Sequence, residues 1–348
     1  VKGFVRSFVS LIISELIEDK YMSDSLLEIN NLSTGIKCNK NYLTFISDLS
    51  VCIKKGEIYG IVGESGCGKS MLAYSITGLL PDSIKILEGN IIFNGVDLLQ
   101  LKKNEFRNIL GKDISMVFQE PLTSLNPLMK IGSQVSENLK LHTDFSKNEI
   151  HQETLNILRK VNLSNPEKLI NYYPHQLSGG MRQRAMIAMA IVLRPQLFIA
   201  DEPTTALDAT IQAQILDLML DINRTYGSTI IFISHDLGVI NRICNRVAVM
   251  YAGSIVEEGD TKNVLLNPQH EYTKGLIASI PTKEKKGHRL LSIPGKVPDV
   301  GGKSAGCIFA NRCNKATEKC WLVKPQSTLF NHNHKVSCIC SQNGGGPI

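Results

Sequence analysis

Gly63-Glu-Ser-Gly-Cys-Gly-Lys69-Ser70 constrains this chain more than any other stretch. It fits Gly-x4-Gly-Lys-Ser/Thr in full, and it stands between a mostly apolar run, Glu57–Val62, and a helical pattern over Met71–Leu80. A strand that hands a glycine-rich turn to a helix N-terminus is the setting in which backbone N–H groups turn inward around phosphate oxygens. Gly63, Ser65, Gly66, Cys67 and Gly68 would form that turn, with Met71 behind it. Lys69 would reach the β- and γ-phosphates, and the Ser70 hydroxyl would ligate Mg²⁺.

The remaining pattern agrees with an α/β fold. Leu197–Ala200 and Ile230–Ser234 are short apolar runs of the buried parallel type, separated by a helical stretch over Ile211–Arg224. Leu26–Leu32, Ser50–Ile53, Asn90–Phe93 and Ser115–Phe118 read as further strands, Asn94-Gly95 as a tight turn, and Val247–Tyr251 with Ser254–Glu257 as a hairpin. From Pro121 to about Pro174 the pattern turns helical, most clearly over Lys147–Val161, and a helix around Thr273–Ser279 precedes Pro281. Residues 282–302, charged and rich in Gly and Pro, read as a linker. Residues 343–348 read as a frayed end.

Composition narrows the class. A 43% hydrophobic and 20% charged chain of 348 residues is an ordinary soluble globular protein of one large domain plus an appendage, or of two domains. No apolar run approaches the roughly 18–20 residues of a spanning helix. Phe4–Ile17 carries Arg6 and Glu15 and lacks a small-residue cleavage site, so it reads as a short amphipathic, dispensable extension ahead of Met22 rather than a signal peptide. The net charge of +6 is uneven: from Pro281 onward eleven Lys/Arg face three Asp/Glu, leaving the rest slightly acidic. Such a tail suits acidic lipid, nucleic acid or simple solvation.

Chemistry is expected at a second place. Leu197-Phe-Ile-Ala-Asp201-Glu202 sets two carboxylates at the mouth of a buried strand, where uncompensated burial would cost several kcal/mol. Asp201 suits an acid that organises Mg²⁺, and Glu202 a general base for an attacking water. Seventeen residues before Asp201 ends the segment Leu177-Ser-Gly-Gly-Met-Arg-Gln-Arg184, which offers a hydroxyl and bare backbone N–H groups at a helix start.

That order of motifs resembles the nucleotide-binding subunits of ABC transporters. The resemblance implies a P-loop NTPase core over residues 23–281 with an antiparallel β-subdomain and an inserted helical subdomain at about 121–180, preceded by an extension over 1–22. It implies that Ala206-Leu207-Asp208 is the D-loop, that Gln119 senses Mg²⁺ and the attacking water, and that His235 contacts the γ-phosphate and holds Glu202. Ser178, Gly179 and Gly180 would complete the ATP site of a second subunit, so that two ATPases close head-to-tail around two ATP molecules. Such subunits stack adenine on an upstream aromatic residue. Ile36 stands near that place and Tyr42 a few residues on, making Tyr42 the candidate.

Phe118-Gln-Glu-Pro-Leu-Thr-Ser-Leu-Asn-Pro127, Tyr173–Arg184 and Pro268-Gln-His-Glu-Tyr-Thr273 are similar to the ATP-binding subunits of dipeptide and oligopeptide importers, with related nickel importers sharing much of this. The partners implied are a paralogous ATPase, two transmembrane permease subunits and, indirectly, an extracytoplasmic solute-binding protein, with the chain peripheral on the cytoplasmic face of the inner membrane. A soluble ABC ATPase acting on nucleic acid or ribosomes is the rival class, but it commonly carries two ATPase modules or a long coiled-coil insertion. No nucleic acid is expected.

The last 42 residues hold five of the nine cysteines. Without a sign of secretion, a metal site is favoured over disulfides. The spacing C-x5-C-x6-C-x17-C matches neither the short loops of common zinc sites nor compact ferredoxin runs. Ile293-Pro-Gly295, Gly306–Cys313 and Val336-Ser-Cys338 are similar to the C-terminal extension of peptide-importer subunits, here 282–348. That resemblance implies a 4Fe–4S cluster on Cys307, Cys313, Cys320 and Cys338, with Cys340 spare; zinc and unligated thiols stay open.

Overall fold

The computed structural model describes residues 24–39, 41–205, 207–281, 292–298, 305–331 and 333–342. The expected extension over 1–22, Ala206 of the D-loop, most of the linker over 282–302 and the end over 343–348 lie outside the described residues.

Among the described residues, twelve strands form two sheets. The smaller is antiparallel in the order β2-β1-β4-β5, built from β1 (Ser25–Cys38), β2 (Asn41–Lys54), β4 (Ile84–Phe93) and β5 (Val96–Asp97). The larger runs β11-β12-β10-β9-β3-β8-β7-β6. Its centre is β3 (Ile58–Val62), β8 (Thr229–Ser234), β7 (Leu197–Asp201) and β6 (Ile114–Val117), all parallel, with β9 (Arg246–Tyr251) parallel on the other side of β3. Every residue of β3, β7 and β8 is buried, as expected where layers cover both faces.

Strand alternation divides the hydrophobic interior in two. Tyr59, Ile61, Ile199, Ile231 and Ile233 face the antiparallel sheet and the helix Lys69–Thr77. Ile58, Val62, Phe198, Ala200, Ile230 and Phe232 face the inserted helices and the helix Ala209–Tyr226. Within the insertion, Lys147–Lys160 begins at Ser146, whose hydroxyl accepts from Glu149 N while the Glu149 carboxylate accepts from Ser146 N.

The tail is part of this architecture. β10 (Ser254–Asp260) pairs antiparallel with β12 (His334–Val336), which pairs in turn with β11 (Thr328–Asn331). Cys307, Phe309, Ala310 and Cys320 are buried in the same interior as Phe198 and Phe232. Among the described residues, the extension has no separate hydrophobic core.

Candidate functional site

The phosphate loop takes its shape from residues that only glycine can supply. Gly66 and Gly68 have φ of 80° and 103°, the left-handed region. A Cβ on Gly63 would stand 2.2 Å from the Met250 carbonyl oxygen, and one on Gly68 3.0 Å from the Phe45 carbonyl oxygen. The loop is thus pressed against β9 and β2. Gly68 is the N-cap of the Lys69–Thr77 helix, so the first amides of that helix point toward the loop. Lys69 Nζ donates to the carbonyls of Gly63 (2.9 Å) and Glu64 (3.1 Å), which folds the ammonium back over the loop.

The end of β7 supplies the acidic pair. Asp201 is buried, and neither carboxylate oxygen has a well-formed hydrogen bond among the described residues. Burial pushes its carboxyl above the ordinary range, opposed by the Ser70 hydroxyl and Lys69. Glu202 has φ of 46°, a conformation that costs a non-glycine residue on the order of 1–3 kcal/mol. The turn aims its carboxylate back toward the loop, 3.9 Å from Lys69 Nζ. Oε2 accepts from Gln119 Nε2 (3.1 Å) and Thr205 Oγ1 (2.9 Å) and lies 3.1 Å from His235 Nδ1. Residues from three loops, after β6, β7 and β8, converge on one carboxylate at the carboxyl edge of a parallel sheet.

A cavity of about 1250 Å³ opens beside this cluster. Ser65, Gly66, Gly68, Lys69, Ser70, Met71, Gln119 and Glu202 line it, as do Gly306, Cys307 and Ile308 of the extension. Phe45 also lines it, whereas Tyr42 does not and is 43% exposed. Tyr42, the expected adenine partner, thus lies outside this lining, and Phe45 is an aromatic residue of the same strand within it. β1 pairs Gly35 with Thr44 and Thr34 with Ile46, so Phe45 is the extra residue of a bulge in β2 and lines the cavity beside Thr44.

Ser178, Gly179 and Gly180 are absent from that lining. Ser178 caps the helix Gly179–Ile191, accepting from Met181 N at 3.3 Å. A Cβ on Gly180 would meet Ile211 at 2.9 Å, while one on Gly179 would meet nothing within 4 Å, so the helix start has open space on one side. Asp208 caps Ala209–Tyr226, accepting from Thr210 N and Ile211 N at 3.0 Å.

The five tail cysteines line one cavity of about 130 Å³. Cys320 Sγ lies 3.9 Å from Cys340 Sγ, and Cys307 N donates to Cys320 O at 2.7 Å. Burial pushes the Cys307 thiol up to about 11. All nine cysteines are free thiols. Among the described residues, no group of three or more His, Cys, Asp or Glu is placed to hold a metal ion. The expected iron–sulfur site is therefore not supported by the described residues.

Sequence reasoning missed three features: Phe45, Thr205, and the link between Arg312 of the tail and Glu64 of the phosphate loop. A hydroxyl at i+3 from a turn carboxylate was a readable signal for Thr205. No sequence signal joins residues 64 and 312.

Comparison with known proteins agrees with this geometry. Residues 46–205 match the family model described as ABC transporter, and residues 256–320 match the oligopeptide/dipeptide transporter C-terminal region. The fold is similar to the dimeric ATP-binding cassette MJ0796 bound to ADP and Pi (TM-score 0.62, 28% identity, covering 68% of this chain and 99% of that one). It is also similar to cbiO1 from Clostridium perfringens (TM-score 0.59, 26% identity, covering 70% and 92%). The chain is an ATP-binding cassette protein. More narrowly, it is 45% identical to the dipeptide transport ATP-binding protein DppD of Bacillus subtilis, over 90% of this chain and 94% of that one. It is 44% identical to the oligopeptide transport ATP-binding protein OppD of Haemophilus influenzae, over 91% and 97%. It belongs to the family of peptide-transport ATP-binding proteins.

Proposed function

We propose that this chain hydrolyses ATP to power import of dipeptides or oligopeptides through a membrane permease. The observation that carries the reading is the approach of Lys69 and Glu202 across the mouth of the cavity, with Gln119, Thr205 and His235 gathered on Glu202.

In this reading the triphosphate lies in the loop Gly63–Ser70, where the helix N-terminus and Lys69 offset its charge. Lys69 exchanges its loop carbonyls for the phosphates. Phe45 offers its ring to adenine. Asp201 and Ser70, with Gln119, would hold Mg²⁺: a buried carboxylate without a well-formed partner beside a hydroxyl suits a cation that takes few protein ligands and several phosphate or water oxygens. The ion would supply charge neutralisation at the β- and γ-phosphates. Glu202 accepts the proton of the attacking water, Gln119 and Thr205 fix its carboxylate, and His235 lies where it reaches both Glu202 and the γ-phosphate.

Ser178, Gly179 and Gly180 serve the ATP of a second, paralogous subunit in a head-to-tail dimer, with Asp208 beside that interface. Their distance from this chain's own cavity and the open space at Gly179 support this. No helix among the described residues is long and apolar enough to cross a membrane. In this reading the chain sits peripherally on the cytoplasmic face, docked on two permease subunits and served by an extracytoplasmic solute-binding protein, which the likeness to peptide-transport ATP-binding proteins supports. Cys307, Cys313, Cys320 and Cys338 would hold a 4Fe–4S cluster. When bound, it would staple an extension that has no core of its own.

Reconstitution with the permease in proteoliposomes tests the reading. ATP hydrolysis should rise when a peptide-loaded binding protein is added. Stimulation by Ni²⁺ and not by peptides would move the assignment to the nickel branch. Stimulation by nucleic acid without a permease would move it to another class. Iron and acid-labile sulfide in anaerobically purified protein test the cluster, and zinc or bare thiols would refute it.

A further inference from the structure

One side chain joins the cysteine-containing tail to the phosphate loop. Arg312, next to Cys313, lies in the short turn Ala310–Arg312. Its guanidinium grips the Glu64 carboxylate with both forks: Nη1 donates to Oε2 at 2.7 Å and Nη2 to Oε1 at 3.0 Å. Nε donates to Pro294 O at 2.8 Å, and Nη2 also approaches Ile293 O at 3.3 Å. The Arg312 side chain is 4% exposed and that of Glu64 31%, so the guanidinium of this bidentate pair is shielded while the carboxylate is partly open to water.

Glu64 is the second residue of the phosphate loop, and it is held at three points. Its carboxylate is held by Arg312, and its N–H donates to Tyr272 Oη at 2.9 Å. Its carbonyl accepts from Lys69 Nζ at 3.1 Å. One of the two carbonyls that park Lys69 therefore belongs to a residue whose side chain is fixed by the tail.

We propose that Arg312 is a positioning residue for ATP: through Glu64 it fixes the phosphate loop, so nucleotide occupancy and order of the tail are linked. This rests on the reading that the Gly63–Ser70 loop binds ATP. Linkage is reciprocal, so ATP must then stabilise the turn that carries Arg312.

The test uses the full chain, with ATP affinity and steady-state hydrolysis measured on wild type, R312M, E64A and the double variant. R312M is expected to raise the Kd and KM for ATP at least fivefold while kcat changes less than twofold. A merely structural role would lower the active fraction and leave KM alone. In the E64A background, R312M should add less than a twofold change, because Arg312 acts through Glu64. Hydrogen exchange of wild type supplies the reciprocal readout, independent of whether R312M folds: ATP should slow exchange at residues 310–313 at least threefold. Unchanged ATP affinity in folded R312M, or unchanged exchange at 310–313, would overturn the inference. Failure of wild type to bind ATP would instead overturn the functional reading beneath it.

Discussion

Replacing Glu202 by Gln is the sharpest probe of the proposed chemistry, because the structure says which atom each half of the new amide must occupy. Oε2 is fixed as an acceptor by Gln119 and Thr205, so the amide oxygen takes that place. The amide nitrogen is then forced to the Oε1 position, 3.9 Å from Lys69 Nζ. Lys69 keeps its two loop carbonyls, so the lost attraction should cost folding only about 1 kcal/mol, a fall in Tm of about 2–4 °C. The loss of the base is far larger. General-base catalysis is typically worth about 10²–10⁴ in rate, or about 2.7–5.4 kcal/mol of activation free energy. Phosphate release at saturating ATP should fall by that factor, while ATP affinity holds or tightens. A folded E202Q protein that retained more than about a tenth of wild-type kcat would refute the assignment of Glu202 as base.

Phe45→Ala should weaken ATP binding by about 5- to 150-fold, the range of roughly 1–3 kcal/mol for removing an aromatic partner from a base, and Tyr42→Ala should leave it unchanged; nucleotide titration of the two variants decides between the two residues. Burial pushes His270 down to about 4, below the roughly 6.5 of an unfolded chain, so the unfolded state takes up the proton first. This site's stabilisation is complete above about pH 6.5 and is lost as pH falls toward 4, on the order of 3 kcal/mol. His270→Asn keeps an acceptor for Tyr272 N and removes the titration, so its urea midpoint should fall less than that of wild type between pH 7 and 4.5; parallel curves would contradict the assignment.

Much of the centre of the fold was legible because its signals are local. β3, the loop after it, β7 and β8 are uninterrupted apolar runs, and their observed bounds differ from the expected ones by a residue or so. The antiparallel sheet was read short. β1 and β2 each span 14 residues, but the pairing shifts register near Leu32 and Thr34, and Asn31 has φ of 50°, so simple alternation breaks there. β11 and β12 escaped notice because a three-residue strand of His, Lys and Val carries no period. The candidate residues Lys69, Gln119, Glu202 and His235 come together from loops far apart in sequence, and motif order pointed to them. Phe45 and the Glu64–Arg312 pair depend on where a strand bulges and on where a tail returns, and only the folded chain shows either.

The return of that tail sets a timetable for the growing chain. Glu257 on β10 is fully buried, accepting from Gln269 N and His270 N and paired with His334 on β12 at 2.7 Å. β10 leaves the ribosome nearly eighty residues before β12 does, about 4–16 s at ordinary synthesis rates of roughly 5–20 residues per second. For that interval a sheet edge and a carboxylate meant for the interior both face water. A chain cut off after Pro281 would stay in that condition permanently, with an open strand edge inviting other chains to pair. Quality control that watches for nascent sheet edges would meet this protein before its last residue is made.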